Sequence, residues 1–318
     1  MRKGSLIAIA VAGLLAASSG AQAVAFARAF NDVTNLVITP TGSITLGVTA
    51  DNSSSTACLP NANCVSNGGA GVIDAPPSQI NWPTYVSNSY STNEGAPVSY
   101  IVSDASIDQQ QILGAPFTRA RNFAEGQLVS GTTGNASAGN SSATLITSTF
   151  VVDGPGTFFN FQFDSDPLIR VLLSTNAIAP SQAEGILALN FNILDNQGRV
   201  VFNWAPDGVV GGILGGTENA DAFTLNTSLT ALPGNFGPLV YDPANCPVGS
   251  VATGCFNATT NNLAAGVYTL NLSMRETVNL QLTEASQVPE PGSVLLLGIG
   301  LAALFASVRK VGKARAAT

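Results

Sequence analysis

The chain has 318 residues, 45% of them hydrophobic and 10% charged, with 12 Lys and Arg against 19 Asp and Glu and no His. Without His there is no Ser-His-Asp triad, no Cys-His pair and no imidazole base. Between Val24 and Val308 there is no Lys either, and six Arg against all 19 acidic residues leave that body a formal charge of −13, which removes P-loop and Schiff-base lysines and makes nucleic acid an implausible partner.

The N-terminus has the pattern of a secretory signal peptide over residues 1–23. Met1-Arg2-Lys3 is a short basic region, Leu6 to Ala17 is apolar, and "GAQA" supplies small residues. Cleavage after Ala23 fits best, and after Ala25 is the alternative. No Cys stands beside the site.

Residues 24–285 read as one exported all-β domain with a loop-rich N-terminal third. "NLVITPTGSITLGV" suggests two short strands around Pro40-Thr41-Gly42. Residues 51–100, rich in Asn, Ser, Gly and Pro, are expected to form a long loop region pinned by a disulfide. Cys58 and Cys64 form one close pair, Cys246 and Cys255 another. Three pairings are formally open, and local closure within each pair costs least entropy. With no His and no Cys-x-x-Cys spacing, zinc is a poor reading. "DQQQILGAPFTRARNFAEGQL" is the one plausible helix, placing Phe117, Ala120 and Ala124 on one face, with Pro116 near its start. "SGTTGNASAGNSS" is low-complexity and reads as flexible.

The clearest strands follow. "TLITSTFVVD" mixes Leu145, Phe150 and Val152 with Thr and Ser, and "GTFFNFQFDSD" puts Phe159, Phe161 and Phe163 on one face. In "GILALNFNILDNQGRVVFNW", Leu187, Leu189, Phe191 and Ile193 share a side, and Asp195 to Gly198 makes a hairpin turn. "AAGVYTLNLSMRETVNLQL" aligns Tyr268, Leu270, Leu272 and Met274. Strands with one apolar and one polar face pack as two antiparallel sheets, so an antiparallel β-sandwich is the expected fold.

No catalytic residue, metal site or cofactor emerges. Asp164, Asp166, Asp195 and Glu184 are the carboxylates that would have to pair for glycosidase chemistry, but Asp in turns and before Pro more often serves backbone geometry. "GGILGG" lacks the strand-loop-helix setting of a nucleotide loop. Trp82, Trp204, Tyr85, Tyr90 and Tyr100 are candidate exposed platforms for sugar rings, which keeps a carbohydrate-binding module as the alternative to a non-enzymatic surface or matrix protein.

Residues 286–318 form a tripartite tail. Val288-Pro289-Glu290-Pro291-Gly292-Ser293 precedes the apolar run Val294–Val308, and Arg309, Lys310, Lys313 and Arg315 close it over 309–315. As a helix the run of about 15 residues reaches ~22 Å, short of the ~30 Å hydrocarbon core. Basic residues at both extremes keep both tips cytoplasmic while the middle crosses. The tail resembles the PEP-CTERM sorting signal of bacterial exosortase substrates. The resemblance implies a membrane-embedded, cysteine transpeptidase-like exosortase as partner, recognising Val288, Pro289, Glu290 and Pro291 and removing the tail. It also implies transient inner-membrane anchoring through 294–308, then release or surface attachment, typically in Gram-negative bacteria that make exopolysaccharide and biofilm. "FARAFNDVTNLVI" and "FTRARNFAEGQL" resemble one family of exosortase-dependent surface proteins, which has no established enzymatic role.

Overall fold

A computed structural model describes residues 22–59, 64–81, 90–109, 111–115, 117–130, 135–243 and 255–283, with backbone alone at 135–138 and 140. Gln22–Glu284 forms one compact unit. The described residues are all-β, without helix, and every strand pairs antiparallel. The strands are β1 (Val24–Pro40), β2 (Ile44–Cys58), β3 (Val65–Ala70), β4 (Asp74–Ile80), β5 (Tyr100–Ile107), β6 (Thr118–Val129), β7 (Asn135–Val152) and β8 (Phe159–Leu173). They continue with β9 (Gln182–Asp195), β10 (Val200–Trp204), β11 (Gly216–Asp221), β12 (Thr227–Ala231), β13 (Leu239–Tyr241), β14 (Phe256–Thr260) and β15 (Gly266–Thr283).

An eight-stranded sheet runs β11-β14-β8-β1-β6-β5-β4, with β13 also on β8; a seven-stranded sheet runs β10-β9-β15-β7-β2-β3, with β12 also on β9. Their inner faces share one interior, and it has two zones. The first holds Phe150, Phe159, Phe161, Phe163, Phe191, Phe202, Trp204 and Phe256. Their rings pack edge-on and stacked, as in Phe163 on Phe256 at 4.6 Å and Trp204 on Phe191 at 5.4 Å. The second is built largely of Ala with a few Leu, Ile and Val, among them Ala25, Ala27, Ala29, Ala124 and Ala183.

Between the zones five strands turn a polar side chain inward. Asn31 on β1, Asn122 on β6, Ser165 on β8, Thr144 on β7 and Glu276 on β15 are all buried. Ser165 Oγ donates to Asn31 Oδ1 at 2.6 Å, Thr144 Oγ1 to Asn122 Oδ1 at 2.8 Å, and Asn122 Nδ2 to the Met274 carbonyl at 2.9 Å. These bonds offset part of the cost of burying polar groups.

Four expectations from the sequence need correction. The helix over 108–128 is instead β6, because Thr118–Val129 lies between β1 and β5 with both faces covered. That double burial removes the period-two alternation that marks a half-buried strand. The loop region expected over 51–100 contains the second half of β2, then β3, β4 and the start of β5. Small inward side chains such as Ser53, Ser55 and Ala57 left no hydrophobic signal there. The low-complexity stretch from Asn135 onward is the first half of β7, in register with β15 from Asn135↔Thr283 to Ser142↔Glu276. The two short strands around Pro40 are long ones, of 17 and 15 residues. The hairpin at Asp195–Gly198 forms as expected. Gly198 has φ 75°, and Asp195 Oδ1 accepts the Gln197 and Arg199 N–H at 2.9 and 3.0 Å.

Candidate functional site

The two stretches "FARAFNDVTNLVI" and "FTRARNFAEGQL" are neighbours, as β1 and β6, with Arg28↔Glu125, Phe30↔Phe123 and Asp32↔Arg121 in register. Their outward side chains form the most charged cluster of the body. Arg119 pairs with Asp32, Arg121 with Asp108 at 3.5 Å, and Arg170 makes two bonds to Glu94 at 2.7 and 2.8 Å. Residues 90–99 lie across this face. Tyr90 packs on Phe30 and Phe123 at 5.0 and 5.8 Å, and Arg28 Nη2 donates to its carbonyl at 2.9 Å. Glu125 Oε1 accepts the Asn93 N–H at 3.0 Å and the Tyr100 hydroxyl at 2.8 Å. Burial pushes the Glu125 carboxyl up, against the Asn93 N–H and Arg28, which favour its charge. Burial likewise raises the Tyr90 and Tyr100 phenols. The cluster is a charge-assisted clamp that fixes a crossing segment to the sheet.

A second carboxylate pair holds a glycine-rich loop. Glu218 accepts the Trp204 indole N–H and, at 2.8 Å, the Gly211 N–H; Asp221 Oδ2 accepts the Asp207 and Gly208 N–H, both at 2.8 Å. Burial raises both carboxyls. "GGILGG" is thus tied down by acidic side chains, the opposite of a phosphate cradle.

The outer face of the seven-stranded sheet has different chemistry. Thr147, Asn271, Asn192 and Asn203 stand directly opposite one another across β7, β15, β9 and β10. Thr147 Oγ1 donates to Asn271 Oδ1 at 2.8 Å, Asn271 Nδ2 to Asn192 Oδ1 at 2.9 Å, Asn192 Nδ2 to Asn190 Oδ1 at 3.2 Å, and Asn190 Nδ2 to Asn203 Oδ1 at 3.0 Å. This uncharged ladder was not singled out from sequence. Its signal was available in the polar alternation of Asn190 and Asn192 with Phe191 and Ile193.

The carboxylates that glycosidase chemistry would need are spread over both sheets. Asp164 and Asp166 are on β8 of one sheet, Glu184 and Asp195 on β9 of the other. Asp164 binds Asn35 Nδ2 at 2.9 Å and the Cys255 N–H at 3.0 Å. Glu184 accepts from Asn279 Nδ2 at 2.9 Å, and Asp195 pairs with Arg199 at 2.6 Å. The aromatic platforms need correction too. Trp204 and Tyr100 are fully buried and Tyr90 is half-buried, because Trp204 faces inward on β10 and the other two belong to the clamp. Trp82 and Tyr85 lie outside the described residues.

Cys58 and Cys64 form the expected disulfide, and Cys255 is disulfide-bonded as well; Cys246 lies outside the described residues. Ala23 is buried, its N–H donating to Ser130 Oγ at 2.9 Å. Val288, Pro289, Glu290 and Pro291, with the whole of 284–318, fall outside the described residues. For that segment a family comparison decides: residues 287–310 match the family model of the PEP-CTERM protein-sorting motif. The chain carries a PEP-CTERM sorting motif. The motif implies exosortase-dependent sorting of an exported protein to the cell envelope or surface. No curated protein and no solved structure matches the chain.

Proposed function

We propose that the protein is a non-enzymatic cell-surface or extracellular-matrix component whose PEP-CTERM tail is a disposable address. In this reading a signal peptidase cuts after Ala23. The run 294–308 then holds the chain in the inner membrane, and exosortase removes it near Val288–Pro291. The observation that carries the reading is the motif at 287–310, whose apolar run is short for a lasting anchor. Of the two cuts, the one after Ala23 gives up the Ala23 bonds to Ser130 but keeps Val24 and Ala25, which are in register in β1, Ala25 opposite both Leu128 and Leu173. A cut after Ala25 would remove two paired residues. Mass spectrometry of protein recovered from the cell surface is expected to give Val24 as the first residue and a C-terminus short of Val294. Recovery of chains ending at Thr318 refutes the processing.

The ladder of Thr147, Asn271, Asn192, Asn190 and Asn203 favours a second role, binding the cell's own exopolysaccharide in a biofilm matrix. Asn271, Asn192 and Asn190 each spend one N–H and the oxygen on their neighbours, and Asn203 its oxygen alone, so further N–H groups and lone pairs remain for a ligand. Uncharged donors and acceptors on a flat face suit a neutral polyhydroxylated chain. Co-sedimentation with insoluble neutral glucan is expected, weakened about ten-fold in an Asn192→Ala/Asn271→Ala variant, each lost bond contributing ~0.5–1.5 kcal/mol. Equal sedimentation of both proteins removes this role.

A further inference from the structure

We infer that the end of the body bearing both of its termini is a bilayer-facing surface, with two loops free of charge so that an acidic domain can stand against anionic headgroups. The inference rests on the reading of the tail as a membrane-held address. One loop, 174–181, ties the two termini together. Ser174 N–H donates to the Val24 carbonyl at 2.8 Å, and Ile178 N–H to the Thr283 carbonyl at 3.0 Å. A second loop, 232–238, lies beside it through the Leu173 N–H to the Phe236 carbonyl at 2.6 Å. Neither "STNAIAPS" nor "LPGNFGP" contains a charged residue. Each presents an apolar side chain outward, Ile178 at 42% and Leu232 at 46% exposure. The turns at the opposite end of the strands carry Asp74, Asp108, Asp153 and Asp195, the first three exposed.

Distance makes this asymmetry matter. β15 has 18 residues, about 60 Å of strand at ~3.4 Å per residue, so the far carboxylates sit many Debye lengths (~10 Å) from whatever touches the near end. From Thr283 to Val294 the chain has eleven further residues, which can reach no more than about 40 Å. Residues 22–284, with six Arg against 18 Asp and Glu, carry a formal charge of −12, and a short tether holds them close to the membrane with these two uncharged loops turned toward it.

The test uses the full chain reconstituted in vesicles of phosphatidylethanolamine and phosphatidylglycerol, with the same chain in detergent as reference, read by amide hydrogen exchange. Peptides covering 174–181 and 232–238 are expected to exchange several-fold more slowly on vesicles, and those covering Asp153 and Asp195 to be unchanged. Ile178→Glu with Leu232→Glu is expected to weaken that protection about five-fold per added charge at low ionic strength. Ile178→Lys with Leu232→Lys retains it, which separates charge from misfolding, and Gly154→Glu with Asn262→Glu at the far end also retains it. Equal protection at both ends, or equal loss in the Glu and Lys variants, overturns the inference while the tail reading stands. A chain that does not remain with the vesicles overturns both.

Discussion

Glu276 has the least accommodated side chain of the interior. It is fully buried among Asn122 and the strands of both sheets, and neither carboxylate oxygen has a conventional hydrogen-bond donor or a cation among the described residues. Burial raises its carboxyl well above the ordinary value, with the Asn122 amide opposing. Because the folded value lies above the unfolded one, the stability tied to the protonated form is complete below ~4.3, the unfolded carboxyl value. It is lost as pH rises through the folded value. Burial also raises Asp166, Glu218 and Asp221, which pull in the same direction. Thermal melts are thus expected to show a body that loses stability from mildly acid to alkaline pH. Each tenfold change in the Glu276 proton equilibrium corresponds to ~1.4 kcal/mol, about 2–4 °C per kcal/mol in a domain of this size. Glu276→Gln should flatten that slope. A variant whose melting point falls as steeply as the parent's would show that Glu276 is not the source.

Among the elements, β9 makes a close crossing between the sheets. A Cβ placed on Gly185 would sit 2.6 Å from Ile169 Cγ2 and 3.1 Å from the Arg28 carbonyl oxygen, so a backbone of one sheet nearly touches β1 and β8 of the other. The Ala-rich zone of the core permits that approach. Gly185→Val is expected to destabilise by about 1–3 kcal/mol through overpacking, measured by urea denaturation, and an unchanged midpoint would contradict the crossing. Which elements were readable follows from the same packing. β8, β9 and β15 each bury one face against aromatic residues, so Phe159 to Phe163, Leu187 to Ile193 and Tyr268 to Met274 alternate visibly. β6 is covered on both faces, and β2 and the start of β7 meet their partners through Ser, Ala and Gly. Their sequences carry no hydrophobic period, and so suggest helix or loop where strands form.

For the molecule as a whole, the address was legible and the body's surfaces were not. Pro289, Glu290, Pro291, the apolar run and the basic end are contiguous in the chain, so one stretch of sequence contains the whole signal. The clamp joins β1, β5, β6, β8 and residues 90–99, and the amide ladder joins four strands. Such sites exist only after register is set. The same distinction bears on β15, the last strand, which lies at the centre of its sheet between β9 and β7. Until residues 266–283 have passed through the translocation channel, β9 and β7 have no partner to join them, and the seven-stranded sheet remains two separate fragments. On the proposed processing, the apolar run after β15 halts the chain just after this central strand is delivered, so that cleavage would act on a domain able to close.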